Sequence, residues 1–218
     1  MTLATVAIVG GTGHLGAALA RRLALAGYDV IIGSRDIDRA QAAAAKLSIG
    51  CPAPIRSMPN VEAAEAASIV IVAVPFASQA QTLSGIRASV KGKIVVDTTV
   101  PLLPPKVMRV QLPPEGCAAL VAQNILGEGV TVVSAFHNVA AHKLTTDQEV
   151  DCDVLVFSDN KEARAQVVEL VQACRLRGLQ GGSLANSAAA EALTSVLIFI
   201  NKHYSVDGAG VRITGALQ

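Results

Sequence analysis

A chain of 218 residues can enclose one sizeable α/β core plus a short extension. Lys plus Arg number 18 against 17 Asp plus Glu, which argues against a nucleic-acid footprint or a polybasic membrane patch. Hydrophobic residues make up 51% but aromatics only 3%, so the interior must be packed with small and β-branched side chains.

The first element, residues 4–9, is an apolar, β-branched run that reads as a strand buried on both faces. It leads into the turn Gly11-Thr12-Gly13-His14-Leu15-Gly16. In this G-x-G-x-x-G spacing Gly11 allows the tight turn, Gly13 lets a pyrophosphate approach the backbone, and Gly16 lets the next helix pack closely. That helix spans residues 15–26 and stops at Gly27. Its free N–H groups and dipole favour a dinucleotide pyrophosphate.

The second strand, residues 30–32, ends in Gly33-Ser34-Arg35-Asp36. An NAD site usually carries an acidic residue at this strand end, for the ribose 2′-hydroxyl. Here Asp36 reads instead as the N-cap of a helix over 36–47, and Ser34, Arg35 and Arg39 suit a dianionic 2′-phosphate. The cofactor expected is therefore NADP(H).

Strands are expected at 54–58, 68–74, 93–97 and 130–135, with helices at 60–67 (Asn60 as cap), 77–83 and 118–125 between them. A strand at 153–157, a helix at 161–175, an edge strand at 179–182 and a helix at 185–203 complete the chain. The alternation specifies an α/β fold: a Rossmann-type, doubly wound, mostly parallel sheet with a small C-terminal helical extension. The expected division is a nucleotide-binding core over 1–150 and an extension over 151–218 whose strands continue the sheet. The apolar stretch 187–200 reads as too short to span a bilayer and as a buried helix, with a dimer interface as its natural place. Met1 leads almost directly into the first strand, so no signal peptide is expected. Cys51, Cys117, Cys152 and Cys174 show neither CxxC nor zinc spacing and read as reduced thiols, in keeping with the cytoplasm.

Ligands of such a sheet lie beyond the carboxyl ends of the strands. That places residues 10–15, 33–35, 74–76, 98–101 and 136–140 around one cleft. No catalytic constellation stands out there. Tyr28 and Tyr204 are the only tyrosines and neither belongs to Tyr-x-x-x-Lys, so a tyrosine general acid is lacking. His137, at a strand end beside Asn138, is the best proton-transfer candidate on position alone; a purely hydrogen-bonding role competes. Asp97 reads as a cap or loop anchor; Asn186, Ser187 and Glu191 begin the last helix, where capping explains the first two as well as substrate contact does. A dinucleotide site without an acid/base pair fits direct hydride exchange between two cofactors, which needs only two rings held face to face with water excluded.

The segments AIVGGTGHLGAALARRLALAGYDVIIGSRD, IVVDTTVPL, VVSAFHNVAAHKL, DVLVFSDNKEA, LANSAAAEALTSVLIFIN and DGAGVRITG resemble the NADPH-dependent reductases of the deazaflavin coenzyme F420. The resemblance covers nearly the whole chain. It implies hydride transfer between NADP(H) and F420 as co-substrate, in a homodimer built on the C-terminal helix. Carried over residue by residue, Thr12, Gly13, His14 and Leu15 match the pyrophosphate turn, and Ser34, Arg35 and Arg39 the 2′-phosphate site. Val74, Pro75 and Phe76 match a strand end near the cofactor. His137, Asn138 and Ala140 match the segment beside the nicotinamide, and Val100 and Pro101 the face for the deazaflavin. No metal is implied. Two other readings stay open: an NADPH-dependent reductase of an imine or a β-hydroxy or keto acid, and a non-catalytic NADP(H)-sensing module.

Overall fold

A computed structural model describes residues 3–215 of the chain. Met1, on which the expectation about a leader rested, lies outside the described residues. In chain order the elements are β1 (Thr5–Val9), α1 (His14–Leu25), β2 (Asp29–Ser34), α2 (Ile37–Leu47), β3 (Arg56–Pro59), α3 (Asn60–Ala66), β4 (Ile69–Val72) and α4 (Phe76–Ile86). They continue with β5 (Ile94–Asp97), α5 (Ala118–Leu126), β6 (Thr131–Ser134), β7 (Asp153–Phe157), α6 (Lys161–Ala173), β8 (Arg177–Gly182) and α7 (Ser187–Tyr204).

The eight strands form one sheet in the order β3-β2-β1-β4-β5-β6-β7-β8. All pairs are parallel except β6 with β7, which meet antiparallel at Ser134 and Phe157. Alternate residues of each strand face opposite layers. Val6 and Ile8 of β1 join one core with α1, α2 and α6, while Ala7 and Val9 join a second core with α3, α4 and α5. This two-sided burial is why β4 reads as the unbroken apolar run IVIV. The expected doubly wound sheet is therefore present, with β7 and β8 appended to the β6 edge.

Arg22 binds the C-terminal half to the first helix. Only 4% exposed, it donates to the carbonyls of Leu144, Cys174, Thr146 and Gln148 at 2.6–2.9 Å.

Three local expectations are corrected. Asn60 is not a cap: it is the first residue of α3, Pro59 holds the cap position, and the Asn60 side chain turns inward. Asn186 and Ser187 do not cap α7 through their side chains. Asn186 Nδ2 donates to Gly181 O, and Ser187 Oγ is drawn into the interior. The helical stretch Leu184–Tyr204, 21 residues with mean hydropathy 1.3 in its most apolar 18-residue window, is long and apolar enough to cross a bilayer by length and composition alone, and is not buried all round. Ser187, Glu191 and Ser195 face inward, while Val196 and Phe199 are 42% and 49% exposed.

Candidate functional site

The strand order reverses between β1 and β4, and the main cleft opens there, at the carboxyl ends of β1, β2 and β4. The turn out of β1 is built by contacts that a side chain would break. Gly10, not Gly11, takes the left-handed conformation (φ +82°), and a Cβ on it would stand 2.5 Å from Ala73 O. A Cβ on Gly16 would stand 2.6 Å from Gly10 O, so its absence is what lets α1 rest on the turn. No side chain caps α1, which leaves its first-turn N–H groups available to an anion.

At the end of β2, Ser34 Oγ accepts the Asp36 N–H at 3.1 Å, which leaves its own proton free. The Asp36 carboxylate accepts the Arg39 N–H at 3.0 Å and so caps α2. Arg35 and Arg39 are exposed, and neither guanidinium has a hydrogen-bond or ion-pair partner among the described residues.

The cleft encloses about 390 Å³ and brings together Thr12, Gly13, Ser34, Arg35, Arg39, Val74 and Pro75 of the sequence-expected residues. A side cavity of about 450 Å³ continues from Ser34 and Arg35 between Pro59, Val61, Gln81 and Ile86. Gly11 and Gly16 lie beneath the turn, and Leu15 packs on the core. His14 faces a smaller groove beside Arg21, and Phe76 opens α4 half-buried.

The remaining expected residues stand apart from this cleft. Pro101 is buried, Val100 half-buried, and Ala140 lines a separate pocket with Lys143 and Asp207. His137 and Asn138 are each 7% exposed. The Asn138 amide is engaged with Ala190 O and Thr194 Oγ1, at 2.8 and 3.1 Å.

Sequence reasoning missed one group and left the members of another unconnected. Asn60, Ser78 and Thr82 line the cleft, and the Asn60 Oδ1 is buried without a partner. Ser78 and Thr82 lie four apart on α4, a spacing that could have been read as one polar face toward the strand ends. The second group is a buried polar cluster under β5 and β6. His137 Nε2 meets Ser134 Oγ at 2.8 Å, Ser134 Oγ meets Ser187 Oγ at 2.5 Å, and Ser187 Oγ donates to Glu191 Oε1 at 2.9 Å. Glu191 also accepts the Ala118 and Ala119 N–H groups at 2.6 and 3.2 Å, holding the start of α5. Nearby, Asp97 accepts from Thr99 Oγ1 at 2.6 Å and from Gln79 Nε2 at 2.7 Å. Their signal was faint because the members lie far apart in sequence.

Burial pushes His137 down to about 4, so its ring is neutral near pH 7. Burial pushes Asp97 up to about 7. Burial likewise lifts the Cys117 and Cys174 thiols to about 11 and 12, which leaves them protonated and inert.

The family described as "NADP oxidoreductase coenzyme F420-dependent" matches residues 5–101. An F420-dependent NADP reductase of Methanocaldococcus jannaschii is 39% identical over 96% of this chain and 97% of its own. One of Methanothermobacter marburgensis is 37% identical over 96% of this chain and 97% of its own. A crystal structure from Arthrobacter sp. FB24, described as a candidate F420-dependent NADP reductase, has TM-score 0.81 at 24% identity. It covers 96% of this chain and 99% of that one, and the likeness establishes the fold.

Proposed function

The chain belongs to the family of coenzyme F420-dependent NADP oxidoreductases, and from that premise we propose that it holds NADP(H) in the β1–β4 cleft and lets a hydride pass directly to or from coenzyme F420. The observation that carries the NADP part is the pair of partnerless guanidiniums, Arg35 and Arg39, in the same cleft as the glycine turn. Two bound redox rings supply the chemistry, so the chain needs no nucleophile or general acid.

The chain's own part is to bind, orient and exclude water. Thr12, His14 and Leu15 offer backbone N–H groups to the pyrophosphate at the open end of α1, while Gly13, whose own N–H is donated to Gly10 O at 3.0 Å, keeps the approach free of a side chain. The cradle fits that group: the nearest atom to a Cβ on Gly13 would be Gly10 O, 3.3 Å away on the protein side. Ser34, Arg35 and Arg39 hold the 2′-phosphate, and the side cavity takes the adenine against Val61 and Ile86. Val74, Pro75 and Phe76 support the chain of the dinucleotide toward the nicotinamide. His137, Asn138 and Ala140 stand at the nicotinamide end, and Val100 and Pro101 at the deazaflavin face. The active form is a cytoplasmic homodimer that covers the exposed face of α7. The core over 1–150 carries the nucleotide, and the segment 151–218 completes the sheet and the interface.

The test is NADPH oxidation with coenzyme F420, compared with a flavin and a panel of imines and keto acids. Turnover is expected with F420. Turnover with an imine or keto acid in its place would overturn the second substrate, and NADPH binding without any turnover would point to a sensing module. Arg35→Ala should weaken NADPH roughly 10- to 100-fold, the size of one lost charged hydrogen bond, while NADH is little affected. Equal loss for both would remove the 2′-phosphate assignment.

A further inference from the structure

Within the buried cluster beneath β6, we propose that Glu191 is the positioning residue of His137. Through Ser187 and Ser134 it fixes the imidazole as the Nε2–H tautomer and leaves Nδ1 as a hydrogen-bond acceptor for an amide N–H of a bound ring. The ligand part rests on the NADP–F420 reading above; the tautomer does not.

The argument follows from counting hydroxyl protons. An ionised carboxylate only accepts, and a serine hydroxyl has one proton to give. Glu191 accepts from Ala118 N, Ala119 N and Ser187 Oγ. The Ser187 proton is therefore committed to Glu191, and the 2.5 Å contact between Ser187 and Ser134 requires Ser134 to donate. With its only proton directed to Ser187, Ser134 meets His137 Nε2 at 2.8 Å as an acceptor. Nε2 must then carry hydrogen. Burial keeps the ring neutral, so Nδ1 carries a lone pair.

Glu191 is the group that can impose this direction. Burial pushes its carboxyl up, but three donors and the positive end of α5 oppose that. The other carboxyl facing the cluster is Asp97, linked to the same helix start by Gln79, which donates to Asp97 Oδ2 and Ala118 O at 2.7 and 3.0 Å. Burial and the charge on Glu191 raise Asp97 to about 7, whereas Glu191 faces the Ala118 and Ala119 N–H groups and the Ser187 hydroxyl, donors that favour its carboxylate form.

The geometry is built for display of the ring. Phe136 is held at φ +67°, a left-handed conformation costly for a bulky residue, and this bend folds His137 back over Ser134. Thr194 Oγ1 meets the His137 carbonyl at 3.1 Å, so α7 holds both backbone and ring. The buried side-chain polar atoms without a partner, among the described residues, are Asn60 Oδ1 and Gln79 Oε1. His137 Nδ1 has no hydrogen-bond partner among the described residues, and the residue keeps 7% of its surface exposed.

The test is long-range proton–nitrogen NMR on protein labelled with ¹⁵N-histidine, with the His137 signal assigned by its loss in His137→Asn. The wild type without cofactor should show the Nε2–H tautomer at neutral pH. In Glu191→Gln the amide oxygen keeps the 2.6 Å contact to Ala118 N and the NH2 turns to Ser187. That reverses both serines and should convert His137 to Nδ1–H. Ser187→Ala, a milder change, should leave a mixture of tautomers. An Nδ1–H wild type, or an unchanged tautomer in both variants, overturns the proposal.

For the ligand, Nδ1 should shift on adding NADP+ but not its 3-acetylpyridine analogue, whose ketone has no N–H. A shift appearing only when coenzyme F420 is added would assign the N–H to the deazaflavin. No shift with either refutes the acceptor role. If instead Arg35→Ala leaves NADP+ binding unaltered while the tautomer is as stated, the cofactor reading fails and the relay stands.

Discussion

Asp97 has none of its surface exposed, and its carboxyl is pushed from the usual 3.8 up to about 7, chiefly by burial. The folded state therefore holds a proton that the unfolded chain has already released over that range. The stabilisation from this proton is full below about 3.8 and is lost as pH rises through about 7. Asp97→Asn should remove this dependence: the urea-unfolding free energy of the variant should gain on the wild type from about pH 5 to about pH 8. A constant difference across that range would contradict it. The residues of the proposed nucleotide site are neighbours in sequence, since Ser34, Arg35 and Arg39 follow one strand end within six positions. Glu191 and Ser134 could not, because 57 positions separate them and only the packing of α7 under β6 joins them.

Between strand and helix, the turn after β1 depends on two glycines that touch neighbouring backbone. A Cβ at Gly10 would press on Ala73 O at 2.5 Å and would also meet the side chain of Val74, in a conformation that L-residues resist. Gly10→Ala should cost about 3 kcal/mol, roughly 6–12 °C in Tm for a chain of this length. A melt within a degree or two of wild type would show that the turn can relax. The elements themselves were largely legible. Hydrophobic runs fixed β1, β4 and β7, and Asp36 fixed the start of α2, its side chain accepting the Arg39 N–H; at α6 the structure adds a cap of the same kind, Asn160, which accepts the Ala163 N–H. Asn60 shows the limit of such reading. A cap and a buried amide on the first helical residue look alike in sequence, and only the space above Gly33, which has no Cβ, selects the second.

For the molecule as a whole, α7 divides its apolar residues between two surroundings. Leu197 is buried within the chain, whereas Val196 and Phe199 are exposed on the opposite side, and Leu103, Met108, Val110 and Leu112, between β5 and α5, are exposed as well. An apolar helix face left open by its own fold is what a second copy would cover. Phe199→Glu should convert a dimer to monomer in sedimentation without lowering the monomer's own stability, since the ring is 49% exposed. A wild-type chain that sediments as a monomer would remove the dimer from the proposal.

The sequence by itself determined the fold class, the place of the glycine turn and the preference for a phosphate-bearing ribose, because those follow from short-range patterns of strand, turn and charge. The tertiary structure decided that Gly10 carries the left-handed turn and that Asn60 turns inward instead of capping α3. It also decided that His137 is held neutral at the end of a relay running to Glu191. These depend on which surfaces meet across the sheet and on how much water they exclude, and no local spacing encodes that.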